Sequence, residues 1–151
     1  MPTMFEEIQS KIQTASSSIL TGGIFTSDDS RNASGGGYEW AREQGLVNNT
    51  LMTAHGILRM GDATPYQTNA HHLRASLQTI ELYMHADYGN NALLESAIAP
   101  IEEAFPAGDV YAGDDRQLYA FLPIFVSGEI PAEEYQNRPT RMIRLSIIQK
   151  R

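Results

Sequence analysis

The chain contains no cysteine, which excludes disulfides, thiolate metal sites and thiol nucleophiles. It also lacks any apolar run approaching the ~20 residues that a membrane-crossing helix needs. Basic residues are few: eleven Lys and Arg stand against eighteen Asp and Glu, for a formal net charge of −7. Proteins that grip nucleic acid gather lysine and arginine into a patch, because phosphate contacts supply most of the affinity. The one small grouping here lies late in the chain, at Arg138, Arg141, Arg144, Lys150 and Arg151. That distribution argues against tight DNA or RNA binding, and no basic recognition helix is visible.

Recognised catalytic signatures are missing too. There is no GxSxG elbow, no GxxxxGK[ST] or GxGxxG phosphate loop, and no HExxH. A restriction-type nuclease would need Glu-x-Lys on a strand, but the residue two beyond Glu81 is Tyr83. His71 and His72 with His85 invite a metal reading. Adjacent histidines point to opposite faces of a strand and diverge on a helix, so we expect no metal site and read all three as solvated histidines near a strand start. The pairs Asp28-Asp29 and Asp114-Asp115 read as solvated turns. No cofactor and no catalytic role are expected.

What is present suits one α+β domain over residues 1–151. The 151 residues, 42% of them hydrophobic, are enough for one core. The opening MPTMFEEIQSKIQ is amphipathic and partly acidic, unlike a signal peptide, so the expectation is a soluble protein that stays where it is made. Residues 4–20 carry Phe5, Ile8, Ile12, Ala15 and Ile19 at helical spacing. Thr3 and Glu6 match a capping box, and Thr21-Gly22-Gly23 stops the helix. Residues 56–66 suggest a strand with an irregularity at Gly61 and a sheet-edge end at Pro65. In LQTIELYMHAD, Ile80, Leu82 and Met84 share one face, while Thr79, Glu81, Tyr83 and His85 share the other. A helix is expected over 92–105, kinked at Pro100, with Leu94, Ala97, Ile98, Ile101 and Phe105 inward. A long strand from Leu118 to Val126 follows, with Pro123 marking an edge or bulge. Residues 128–139 read as a polar connection. The last segment again alternates, with Ile143, Leu145 and Ile147 inward and Arg144 and Ser146 outward. The expected fold is therefore α+β: a mainly antiparallel sheet of about four strands, with the N-terminal helix and a second helix packed on one face.

Between the first helix and the first long strand lies SRNASGGGYEW, with three glycines ahead of Tyr38 and the sole tryptophan, Trp40. The polar, glycine-rich span 27–37 reads as a flexible insertion. Tyr38 to Gln44 reads as one or two helical turns ended by Gly45. Two roles stand open for Tyr38 and Trp40: they pack into the domain's own core, or they anchor a flexible segment on a neighbouring subunit. A second candidate site is Glu81, Tyr83 and His85, which share a strand face near Asp87 and suit a small ligand-binding domain or enzyme.

The segments LQTIELYMHADYGNNALLESAIAPIEEAF, VYAGDDRQLYAFLPIFVSGE and RMIRLSIIQKR run strand, helix, strand, strand. In that order and hydrophobic pattern the chain resembles the small tail-terminator (tail-completion) proteins, and more broadly the neck proteins, of long-tailed bacteriophages. The opening MFEEIQSKIQ is similar to the family's usual first helix. The likeness spans residues 1–20 and 57–151 and rests on no diagnostic residue motif; the glycine-rich insertion departs from the shorter members. It implies a non-enzymatic α+β subunit of a hexameric ring that caps the tail tube and joins it to the head-neck connector. Its implied partners are further copies of itself, the tail-tube protein and the connector protein. DNA would pass through the lumen without specific binding, which like charge favours. The implied location is the virion, reached from the host cytoplasm during assembly. Tyr38, Trp40, Glu81, Tyr83 and Arg144 are the residues expected at subunit interfaces.

Overall fold

The computed structural model describes residues 4–26, 37–66, 75–108, 110–112 and 118–150. The readings at Thr3, the loop 27–36, His71-His72 and Asp114-Asp115 fall outside them.

Helix α1 (Met4–Ser16) buries Ile8, Ile12 and Ser16, one stripe at steps of four. It is shorter than the expected 4–20. The Ser16 hydroxyl donates to the Ile12 carbonyl at 2.7 Å, and the amides of Ile19 and Leu20 both turn back to the Ser16 carbonyl. Serine's competition for backbone partners ends the regular ladder there. The inward side continues through Leu20, while Ala15 and Ile19 are half-buried.

The strands are β1 (Ile24–Thr26), β2 (Val47–Asn48), β3 (Leu51–Met52), β4 (His55–Tyr66), β5 (Ala75–His85), β6 (Val110–Ala112), β7 (Leu118–Phe121), β8 (Phe125–Val126), β9 (Ile130–Ala132) and β10 (Arg138–Lys150). Eight of them form one sheet in the order β1-β4-β5-β10-β7-β6, and β8 and β9 also pair with β10. Only β1 joins in parallel, on β4. Strands β2 and β3 make a separate small hairpin. The fold is thus α+β with a mainly antiparallel sheet. Three of the four expected strands, β4, β5 and β10, are its long spine; the rest, including the pieces of the fourth, are segments of two to four residues, too short for periodicity to register.

One sheet face carries the main core. Leu58, Ile80, Leu82, Met84, Ile143, Leu145 and Ile147 pack there against Ile8 and Ile12 of α1 and against two later helices. Those are α3 (Asn91–Ser96) and α4 (Ile98–Ala104), which contribute Leu94, Ala97, Ile101 and Phe105. They replace the single kinked helix expected over 92–105. Pro100 has no amide to give to the Ser96 carbonyl, and its ring crowds that carbonyl, so the chain breaks at Ala97, one residue past that acceptor and three before the ring.

The sheet has two further irregularities. Strand β4 slips register against β5 between Met60 and Ala63, which places a bulge at Gly61. Beyond Leu58 it has β5 as its only strand partner among the described residues, so Pro65 lies on an open edge. The expected strand 118–126 is split into β7 and β8. From Phe121 to Phe125 that chain takes four steps, while its partner moves three, from Ile147 to Arg144. Pro123, without an amide, sits in the resulting bulge.

Residues 128–139 are not merely a polar connection. They form β9, a short 3-10 turn (Glu133–Tyr135) and the start of β10, and they bury Tyr135 and Arg138. Those two side chains cover the opposite sheet face together with helix α2 (Gly37–Glu43). Helix α2 matches the one or two helical turns expected over Tyr38 to Gln44. It ends in a Schellman arrangement: Leu46 donates to Ala41 and Gly45 to Arg42, with Gly45 at φ +79°.

Candidate functional site

The register places three cross-strand rows on the sheet face away from α1. They are His55–His85–Thr140, Ile57–Tyr83–Met142 and Arg59–Glu81–Arg144. The first two rows are roofed by α2 and the 3-10 turn, and the third reaches solvent.

Under the roof, the Tyr135 ring stacks on His85 with centroids 3.8 Å apart and planes 14° apart. Trp40 meets Phe25 edge-on at 5.0 Å. Gly37 is the first residue of α2, and a Cβ there would fall 2.4 Å from the Tyr135 ring. Glycine at 37 is what lets the helix start this close to the tyrosine.

The hydrogen bonds fix the proton positions. His55 Nδ1 lies 2.9 Å from the Thr53 carbonyl, which can only accept, so this nitrogen carries the hydrogen. Its Nε2 is then free to accept from the Tyr135 hydroxyl at 3.3 Å. Thr140 donates its hydroxyl hydrogen to the Arg138 carbonyl and accepts from His85 Nδ1 at 2.8 Å. His55, donating from one ring nitrogen and accepting at the other, is therefore held neutral. Burial pushes His55 down to about 4, against a smaller opposing effect of the Thr53 carbonyl. Burial drives His85 well below its ordinary value, and the positive charges of His55, whenever it is protonated, and of Arg59 add to this.

Next to this cluster Arg138 is only 2% exposed. Its Nε donates to Asp87 Oδ1 at 3.0 Å, and one terminal nitrogen reaches Gln136 Oε1 at 3.0 Å and the Tyr135 carbonyl at 3.4 Å. The other terminal nitrogen donates to the Thr50 carbonyl at 2.8 Å. The guanidinium plane lies between the Tyr38 and Tyr88 rings, 5.0 and 4.6 Å from their centroids. One planar fork thus ties the β2–β3 turn, the β5–α3 turn, α2 and the start of β10 together, a geometry lysine cannot reproduce.

The residues singled out from the sequence end up in different settings. Trp40 is buried within its own chain at 2% exposure. Tyr38 lies half-buried under Arg138. Glu81 pairs with Arg144 at 3.4 Å, and Arg59 lies over the Tyr83 ring at 5.1 Å. Arg144 also covers the Phe125 ring at 5.3 Å. Glu81, Tyr83 and His85 share a face as expected but do not converge, because each is held by a different row. The reading of His85 as a solvated histidine is corrected: the 3-10 turn, whose sequence looks polar, lays Tyr135 on top of it.

His55, Tyr135, Arg138 and Phe125 were not anticipated. His55 could have been found by pairing it across the β4–β5 hairpin with His85. Arg138 and Tyr135 carry no local signal, since their burial comes from elements distant in sequence. Among the described residues no group of three or more His, Asp and Glu could hold a metal ion. None of the described helices is long and apolar enough to cross a membrane. The surface most suited to a partner is the open third row with Phe125, which is 52% exposed.

No protein-family model matches the chain, and no curated protein matches it. Among solved structures, it is similar to a chain of the virion of a native gene transfer agent particle. The identity is 7%, 93% of each chain is covered, and the TM-score is 0.48.

Proposed function

We propose that this chain is a structural virion protein of a phage-like particle, a tail terminator whose copies form a ring that caps the tail tube and joins it to the head-neck connector. It acts by surface complementarity, with no catalytic step and no cofactor. The observation that carries this reading is the open third row: Arg59, Glu81 and Arg144 run across the sheet to an exposed Phe125, with Arg144 against its ring, on a sheet whose other face is covered by helices. Mixed charges around an exposed aromatic ring suit a protein partner better than a small molecule. The strand, helix, strand, strand order of the second half supports the same reading, and the acidic balance suits a lumen through which DNA slides. In the ring the partners are copies of the chain, the tail-tube protein and the connector protein.

The alternative, a ligand or catalytic site at Glu81, Tyr83 and His85, is disfavoured by geometry. His85 is covered by Tyr135 and bonded to Thr140, and Glu81 is paired with Arg144. Mass measurement of the purified protein, alone and with tail tubes, tests the proposal. A ring-sized species, or binding to tube ends, is the expected result. A strict monomer that ignores tubes would reject it.

A further inference from the structure

The β7–β8 bulge has two sides that differ in chemistry. On the helix side, Ile124 and Pro123 join Phe105 and Pro106 at the end of α4 to line an open groove of about 430 Å³, with Glu102 and Glu103 on its rim. Among the described residues no ion pair engages either glutamate. Lys11 lies over the Phe105 ring at 5.3 Å. On the other side, one residue along, Phe125 projects with the Arg144 guanidinium against its ring. Arg141 lies on the same strand, held through Nε by the Ser127 carbonyl at 2.8 Å.

We infer that the Phe125–Arg144 knob of one copy seats in the Glu102–Glu103 groove of the next. The occupant is a second copy of this chain, and the inference rests on the ring reading above. The argument is charge and shape complementarity. The knob offers an aromatic ring edged by arginine, and the groove offers an apolar floor edged by two carboxylates. Arginine and aromatic residues are the side chains most enriched where interfaces bind tightly. Because knob and groove stand back to back on one strand segment, a copy cannot satisfy both with the same neighbour by two-fold pairing. The contact is heterologous, and repetition of it gives a ring if the rotation closes.

The absence of native cysteine makes the test direct. Phe125→Cys and Glu103→Cys are made singly and together in the full chain and oxidised mildly. Neither single variant should crosslink to itself. A mixture of the two should give covalent dimers only, and the double variant a ladder ending at ring size. Phe125→Asp, an exposed change, should weaken self-association about tenfold, as loss of a central aromatic contact does, while far-UV circular dichroism stays unchanged. Self-crosslinking of Phe125→Cys would show a face-to-face contact and overturn the inference. Ring-sized particles without the mixed crosslink would overturn it too, while leaving the ring reading intact. Monomers throughout, by sedimentation, would remove both.

Discussion

His85 and Tyr135 lie ring on ring, 3.8 Å between centroids, although fifty residues of chain separate them. The contact fastens the 3-10 turn to the centre of the sheet and keeps a titratable imidazole from water. Its first consequence is a dependence on pH.

In the folded chain His55 takes a proton only near pH 4, whereas an unfolded imidazole does so near its ordinary 6.5. Between those values the unfolded state holds more protons, so stability rises with pH across that window and is fully present above it. The difference corresponds to about 3 kcal/mol for His55, and His85 adds in the same direction. Urea titrations at several pH values, followed by Trp40 fluorescence, should show this decline on acidification. His55→Gln should flatten it; an unchanged slope would remove His55 as its source.

Arg138→Lys should destabilise by about 3 kcal/mol, the usual cost of breaking a buried charge network. Lysine keeps the charge but cannot reach Asp87, Gln136 and the Thr50 carbonyl together. A double-mutant cycle with Asp87→Asn should show coupling above about 1 kcal/mol. By contrast, Glu81→Gln should cost under about 1 kcal/mol, because its pair with Arg144 is open to solvent.

Gly37→Val should lose about 1–3 kcal/mol through overpacking against Tyr135. Near-ultraviolet circular dichroism should change at the same time, since α2 carries Trp40. If the variant matches the parent in both measurements, the close approach of helix and ring is not a constraint.

Leu82→Ala removes a fully buried side chain at the centre of the main core. The loss should be about 2–5 kcal/mol, with no effect on the Trp40 signal of the native state, because Leu82 and Trp40 lie on opposite faces of the sheet.

The main core could be read from the sequence because its residues obey a local period: Ile80, Leu82 and Met84 alternate, as do Ile143, Leu145 and Ile147. Prolines were equally informative. Pro100 and Pro123 each mark an irregularity that the missing amide demands, and Pro65 marks an open sheet edge where no amide is needed. The second face could not be read in this way. Tyr135 and Arg138 sit in a stretch rich in charge and amide groups, and only the fold brings His55, His85 and α2 to them. His85 looked outward because alternation says which face a residue takes, not whether something covers that face. Two- and three-residue strands such as β8 and β9 carry no period at all, and they exist because β10 offers them an edge.

Strand β10 follows in sequence every strand that it unites. Until residues 138–150 emerge, β5 has a bare edge on one side of the gap, and on the other β7 has only β6 while β8 and β9 have no template. A ribosome-bound chain would therefore hold two half-sheets that cannot join, with Ile80, Leu82 and Met84 incompletely covered. Such late closure of long-range pairing slows folding and favours a holding chaperone.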